Sequence, residues 1–106
     1  MATKLGQKLR ALRTTKGLSL DALALQAKLS KSYLWELENR ESPKPSAEKL
    51  QRLSDVFEVD VSFFLDDEVD EPQAVHVDRQ FFRNYARLDE SDKAQLRRIL
   101  DTFKKK

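Results

Sequence analysis

The sequence predicts an all-α fold, and three observations carry that prediction. Apolar residues recur at helical spacing, as in Leu5, Leu9 and Leu12. Ser and Thr stand at the starts of these stripes, where a side-chain oxygen can satisfy free backbone N–H groups. Only two glycines and three prolines interrupt 106 residues that are 40% hydrophobic, a composition suited to a helical globule rather than a sheet sandwich or a disordered chain. A chain of this length forms one domain, or one small domain with an appendage, and leaves no room for a cleft between lobes.

Each element follows in order. Thr3 caps a first helix carrying Leu5, Leu9 and Leu12, and Gly17 stops it after Lys16. Ser19 caps a second, whose apolar stripe is Leu20, Leu23, Ala24 and Ala27. The chain turns through "AKLS", Ser30 caps again, and Leu34 and Leu37 carry a third helix to Asn39. Two short helices joined so tightly must cross at a large angle, the helix-turn-helix arrangement. Ser42, Pro43, Lys44 and Pro45 break the pattern. Ser46 opens a fourth helix along Leu50, Leu53 and Phe57, and a brief fifth closes the core with Val59, Val61, Phe64 and Leu65. Residues 1–65 thus make a complete five-helix domain. "DDEVDEPQAVHVD", residues 66–78, reads as an acidic linker. Beyond it, Phe81, Phe82, Tyr85 and Leu88 share one helical side, and Leu96, Ile99, Leu100 and Phe103 repeat the pattern. Asp89 and Asp92 resemble a capping box between the two, so residues 79–106 form a helical hairpin. The final "KKK" is the only low-complexity segment.

Charge and chemistry narrow the function. Net charge is only +2, but residues 1–65 carry 11 Lys/Arg against 8 Asp/Glu, residues 66–78 none against 6, and residues 79–106 carry 9 against 4. Lys4, Lys8, Arg10, Arg13 and Lys16 fall in the first helix without an anion; such a run is a solvated face, or a phosphate footprint if the neighbouring geometry agrees. Cysteine is absent, which excludes disulfides, thiolate metal sites and a cysteine nucleophile. The lone His76 lacks partners for a metal site or a serine triad and reads as a linker side chain with no task. No cofactor, metal or enzymatic activity is expected, because the carboxylates gather around no identifiable nucleophile. No apolar run approaches the roughly 20 residues that span a bilayer, and "MATKLGQKLR" lacks the apolar stretch of a signal peptide. A reducing cytoplasm is the expected address, with no membrane partner.

The stretch "KSYLWELENR" raises the functional question, because its tryptophan lies away from its leucines. At roughly 100° per residue from Lys31, Trp35, Asn39, Ser32 and Glu36 fall between about 40° and 140°, whereas Leu37 and Leu34 fall near 240° and 300°. A helix packed through its leucines therefore presents Lys31, Ser32, Trp35, Glu36 and Asn39 outward. An α-helix fits the major groove, where Lys can donate to guanine O6 or N7, Ser can meet several base edges and Glu can accept from cytosine N4. The alternative is a solvated helix with one exposed aromatic.

Residues 5–65 resemble the lambda-repressor and Cro family of bacterial helix-turn-helix regulators, the XRE family. "LGQKLRALRTTKGLSLDALA", "SKSYLWELE", "KPSAEKLQRLSDVFEV" and "VSFFL" follow its pattern in order and at its spacing. "KSYL" and "VSFFLDDE" look particularly like the SinR-type repressors, which govern biofilm and sporulation genes and carry a C-terminal helical oligomerisation hairpin. The resemblance implies a lambda-repressor-like five-helix domain with Ser30 at the cap of the recognition helix. It places Lys31, Ser32, Tyr33 and Glu36 at base-reading or groove-lining positions, with Tyr33 in phosphate contact or packed at the groove edge. Trp35 is either a groove wall touching a thymine methyl or sugar, or a ring packed on the loop at Pro43. The family's pairing of a helix-one arginine with a late helix-three glutamate falls on Arg13 and Glu38, near 340° by the same count; otherwise Glu38 is a free surface carboxylate. Phosphate contacts are expected from the helix start at Ser19, where the dipole favours an anion, and from Asn39, Arg40 and Lys44. Three departures stand out: Lys28 replaces the glycine of the turn, Arg40 the residue that often ends helix three, and Leu20 the glutamine of some phage members. Lys28 and Arg40 add cations beside a docked duplex and join the expected phosphate contacts.

One recognition helix discriminates too little to find one genomic site, whereas two copies reading an inverted repeat through grooves about 34 Å apart suffice. The hairpin stripe of Phe81, Phe82, Tyr85, Leu88, Leu96, Ile99, Leu100 and Phe103 exceeds what a lone hairpin buries. It pairs with a symmetry mate in a homodimer or with an antagonist protein, or else folds back on the first domain. The leading expectation is a regulator of transcription, a dimeric repressor bound to double-stranded DNA. The alternative is an antitoxin that autoregulates its operon and neutralises a toxin through the tail.

Overall fold

The computed structural model describes residues 3–41 and 44–104, which form seven α-helices with no strand among them. Ser42, Pro43, Lys105 and Lys106, named above as helix breakers and the end of the basic run, lie outside the described residues. The helices are α1 (Lys4–Thr15), α2 (Leu20–Ala27), α3 (Lys31–Asn39), α4 (Ala47–Phe57), α5 (Val61–Leu65), α6 (Ala74–Ala86) and α7 (Glu90–Lys104). An all-α architecture is what the periodicity predicts.

The caps act through the expected oxygens. Thr3 Oγ1 accepts from the Gly6 N–H at 3.0 Å, and Ser19, Ser30 and Ser46 do the same for Ala22, Tyr33 and Lys49 at 3.0 to 3.2 Å. Each such cap contributes about 1 kcal/mol. Gly17 follows α1 with φ +72°, a conformation open to glycine at no steric cost. No glycine is available after α2 or α4, so Lys28 and Glu58 take left-handed angles with φ of 57° and 56°. Each costs roughly 1–2 kcal/mol, and each returns its N–H to a carbonyl of the last turn.

α3 packs against α1 and α2, α2 against α4, and α5 closes the base against α1 and α4. Leu9, Leu23, Leu34, Leu37, Leu53 and Phe63 meet at the centre, all but removed from water. One expectation is corrected here. Leu65 was to close the core, but it is 69% exposed, and Phe63 is buried in its place. A five-residue helix has only a narrow inward side, and Phe63 and Phe64 occupy it.

α1 and α3 approach so closely that Gly6 has no space for a side chain. A Cβ there would stand 2.3 Å from the Leu37 carbonyl oxygen, a backbone atom that cannot step aside.

The acidic stretch also differs from its reading. α6 begins at Ala74, inside residues 66–78, and His76 is buried rather than idle. The Gln73 N–H donates to His76 Nδ1 at 2.8 Å, and the imidazole packs tilted against the Phe63 ring, with ring centres 5.4 Å apart. The ring serves as an apolar plate with one acceptor nitrogen, which seats α6 on α5. α7 buries no side chain, so the molecule measures 51 × 28 × 25 Å. Phe81, Phe82, Ile99, Leu100 and Phe103 are more than half exposed, so the hairpin's apolar side is not folded onto the first five helices.

Two outcomes follow. Gly6→Ala forces α1 off α3 and lowers stability by about 1–3 kcal/mol in urea denaturation. Asp60, the α5 cap, concerns pH. Burial opposes its charge, but hydrogen bonding to Ser62 and the nearby Arg79 and Arg83 outweigh burial and hold its pKa below the ordinary value. A lowered folded-state pKa stabilises fully above the ordinary aspartate range, and that contribution is lost as pH falls through the folded value. Urea midpoints measured from neutral pH downward should therefore fall less steeply for Asp60→Asn than for the wild type.

Candidate nucleic-acid interface

α3 is anchored from one side and bare on the other. Leu34, Leu37 and Glu38 are buried, while Lys31, Ser32, Trp35 and Glu36 are exposed along the opposite side. Ser30 starts the rod, so the first turn carries Lys31 and Ser32 at its outer corner. Lys31 Nζ lies 3.2 Å from Asp21 of α2, but both side chains are well exposed, so the pair is worth little and can be exchanged for another anion. Ser32 Oγ lies 3.4 Å from Ser30 Oγ, and Glu36 stands outward. The remaining groove-lining candidate, Tyr33, is half-buried with Lys49 Nζ 4.3 Å above its ring, and burial raises its phenol pKa. Tyr33 and Lys49 thus form one edge of the exposed side.

Trp35 is 46% exposed, and the Arg40 guanidinium lies 5.7 Å from its ring centre. The packing partner suggested above, Pro43, lies outside the described residues. The Asn39 amide donates to the Trp35 carbonyl at 2.8 Å, which closes the last turn of the rod. Arg40 and Lys44 are exposed beyond it. At the other border, Ser19 caps α2 and Lys28 occupies the left-handed turn with its side chain in solvent. Arg52, which the sequence did not single out, donates to the Lys28 carbonyl at 3.1 Å and pairs with Glu48 at 2.6 Å. It braces the turn between α2 and α3 from below. Its signal in the sequence is faint, since an i, i+4 Glu–Arg pair is ordinary on any helix surface.

Arg13 and Glu38 hold the rod in place. Arg13 Nε donates to Glu38 Oε2 at 2.7 Å and Nη2 to Oε1 at 3.0 Å, a bidentate pair, and Nη1 donates to the Leu18 carbonyl at 2.9 Å. Hydrogen bonding to Glu38 raises the Arg13 pKa above its already high value. Glu38 is only 2% exposed, deeper than the edge position its angle suggests, with Arg10 at 3.9 Å as a second, exposed cation.

The other helix-one cations divide: Lys4, Arg10 and Lys16 lie on the exposed side of α1, whereas Lys8 is turned inward. Lys8 is 4% exposed, and its ammonium donates to the Phe63 and Asp66 carbonyls at 2.7 and 2.5 Å while lying 4.7 Å from the Phe63 ring. Lys4 reaches the Asp67 carbonyl and Lys16 the Val56 carbonyl. These lysines fasten α1 to the ends of α4 and α5, where helix dipoles collect negative charge.

In the tail, Phe81, Phe82, Tyr85, Leu96, Ile99, Leu100 and Phe103 line one open groove between α6 and α7. Leu88 sits half-buried at the connecting turn instead. Arg97 donates to the Tyr85 hydroxyl at 2.7 Å across the hairpin. Among the described residues no group of His, Cys, Asp or Glu could hold a metal ion, and no helix is long and apolar enough to cross a membrane.

Tightly joined α2 and α3, held by α1, α4 and α5, define a lambda-repressor-like helix-turn-helix unit. The chain belongs to the helix-turn-helix domain family, whose model matches residues 4–70. Its particular likeness is to SinR. The chain is 38% identical over 63 residues to the HTH-type transcriptional regulator SinR of Bacillus subtilis strain 168, which covers 59% of this chain and 57% of that one. It thus spans little more than half the length of the curated relatives it matches. A crystal structure of SinR, described as the master regulator for biofilm formation, in complex with DNA is 39% identical, covering 58% of this chain and 98% of that one with a TM-score of 0.56. A structure of the SinR–SinI protein complex matches 94% of both chains at 31% identity and a TM-score of 0.58.

Glu38 tests the anchoring. Arg13→Ala leaves a buried carboxylate without its bidentate partner and should lower the unfolding free energy by about 3 kcal/mol, measured in urea. The double variant Arg13→Met/Glu38→Leu should recover most of that loss, because an apolar pair removes the stranded charge.

Proposed function

We propose that this protein is a sequence-specific, double-stranded-DNA-binding regulator of transcription. In this reading α3 enters the major groove of an operator. The observation that carries it is the division of α3 between buried Leu34, Leu37 and Glu38 and an outer side that remains exposed among the described residues. Lys31 and Ser32 meet base edges from the first turn, Glu36 accepts from a cytosine amine, and Trp35 and Tyr33 form the groove walls. Lys28, Arg40 and Lys44 neutralise phosphates, with the backbone N–H groups at Ser19 and the side chain of Asn39 fixing register. The reading is supported by the helix-turn-helix family model, which spans α3 within residues 4–70, and by the likeness to the DNA-bound structure of SinR at 39% identity.

Two copies act together, joined through the apolar groove of the hairpin, and occupy an inverted repeat so as to block polymerase. An exposed groove lined by aromatic and aliphatic side chains is an interaction surface, not a stable surface for a lone molecule. The SinR–SinI complex suggests that an antagonist protein could compete for the same groove.

The test begins with duplexes selected from a random pool. Affinity should fall linearly in log–log form with salt, by about 0.9 per neutralised phosphate. Ser32→Ala and Glu36→Ala should each lose about 1–3 kcal/mol on the selected site while binding random duplex as before. Lys44→Ala should instead weaken both alike. If neither Ser32→Ala nor Glu36→Ala changes the preferred sequence, α3 is not the reading element. Phe82→Glu/Leu100→Glu, on the exposed groove, should halve the mass seen by light scattering; an unchanged mass excludes pairing through the hairpin.

A further inference from the structure

The first two turns of α6 are held against the DNA-reading unit by contacts that the proposed function does not use. The Asp60 N–H donates to the His76 carbonyl at 2.9 Å, and the buried imidazole lies against Phe63 of α5. One turn on, Gln80, only 1% exposed, donates through Nε2 to Asp55 Oδ1 of α4 at 2.9 Å. Gln51 donates to the same oxygen at 2.9 Å, and Arg87 stands 3.8 Å from Asp55 Oδ2. α6 is thus tied to two different helices at points one turn apart, which removes the freedom to pivot about a single contact.

The same helix carries Phe81, Phe82 and Tyr85 into the hairpin groove. One element therefore spans from the reading unit to the pairing surface with no flexible connector between Gln73 and Ala86. Its 13 residues extend roughly 20 Å, and a tilt of roughly 10° at the base moves the far end by about 3.5 Å, one base-pair step. Orientation of α6 is consequently converted into distance between the two reading helices of a pair.

We infer that His76 and Gln80 are positioning residues that set the half-site separation a paired molecule accepts. The inference rests on the paired reading of DNA given above. A chain with a loose junction would tolerate several spacings. This one, clamped at α4 and α5, accepts a narrow range.

The experiment measures the affinity of the full chain for inverted repeats that differ only in the spacer, one base pair at a time, beside a duplex with a single half-site. The wild type should bind its best spacer roughly 100-fold more tightly than spacers two base pairs longer or shorter, because joint binding is lost when geometry forbids it. In His76→Ala/Gln80→Ala that preference should shrink to within about fivefold while half-site affinity stays unchanged. His76→Phe, which keeps a ring against Phe63 of α5 and the backbone carbonyl that accepts from Asp60, should keep most of the preference. Gln80→Met, which keeps the volume and loses the bond to Asp55, should lie between and decides the matter if the double variant does not fold. A double variant that is folded, binds the half-site normally and keeps the wild-type spacing preference overturns the inference while the paired reading stands. A wild type that binds every spacer equally, one protomer to a duplex, overturns both.

Discussion

A buried ion pair between the first and third helices is the constraint on which the rest of this structure depends. Glu38 is nearly inaccessible, on a helix whose neighbouring buried groups are leucines. Only a partner that supplies two aligned donors makes that burial tolerable, and the Arg13 guanidinium does so in a planar fork. The pair lies beside Gly6, where α1 and α3 come into backbone contact. Electrostatic and steric fit therefore specify one orientation of α3. The outer side of α3 is bare because the inner side is held so fully.

Cations elsewhere on α1 serve the same end by a different route. Lys8, Lys4 and Lys16 donate to carbonyls at or just beyond the ends of α5 and α4. Those carbonyls have no partner within their own helices, and the helix dipole adds to their pull on an ammonium. A positively charged helix in a DNA-binding fold suggests phosphates, yet here Lys8 is directed inward and the exposed Lys4 and Lys16 are engaged by carbonyls of their own chain. Positive charge left for a duplex comes from shorter segments around α3: Lys28 in the turn, Arg40 and Lys44 after the rod, and Lys49 over Tyr33.

The tail is joined to this unit by polar and aromatic contacts rather than by a broad apolar interface. His76 and Gln80 interrupt a segment whose other side is rich in phenylalanine. Aliphatic residues in their place would bury as much area with less directional preference. Hydrogen bonds confine α6 to one angle, and the apolar residues are left for the groove that faces away from the first five helices.

Much of this protein was legible in the sequence because it follows from local rules. Thr3, Ser19, Ser30 and Ser46 mark helix starts wherever they stand ahead of a 3.6-residue stripe, and the short turn between α2 and α3 leaves those helices one way to cross. The outward set on α3 follows from angles alone, since Leu34 and Leu37 share a side that excludes Lys31, Ser32 and Glu36. What the tertiary structure decided is where charges and isolated residues found partners. Lys8 turns inward because the end of α5 lies against α1, Phe63 displaces Leu65 because one narrow side of α5 faces the core, and His76 is buried because α6 returns to Phe63. Arg52 braces the turn only once α4 lies beneath it. Periodicity is a property of a single helix and can be read from its residues, whereas these contacts join positions 13 to 58 residues apart and exist only after the chain has folded.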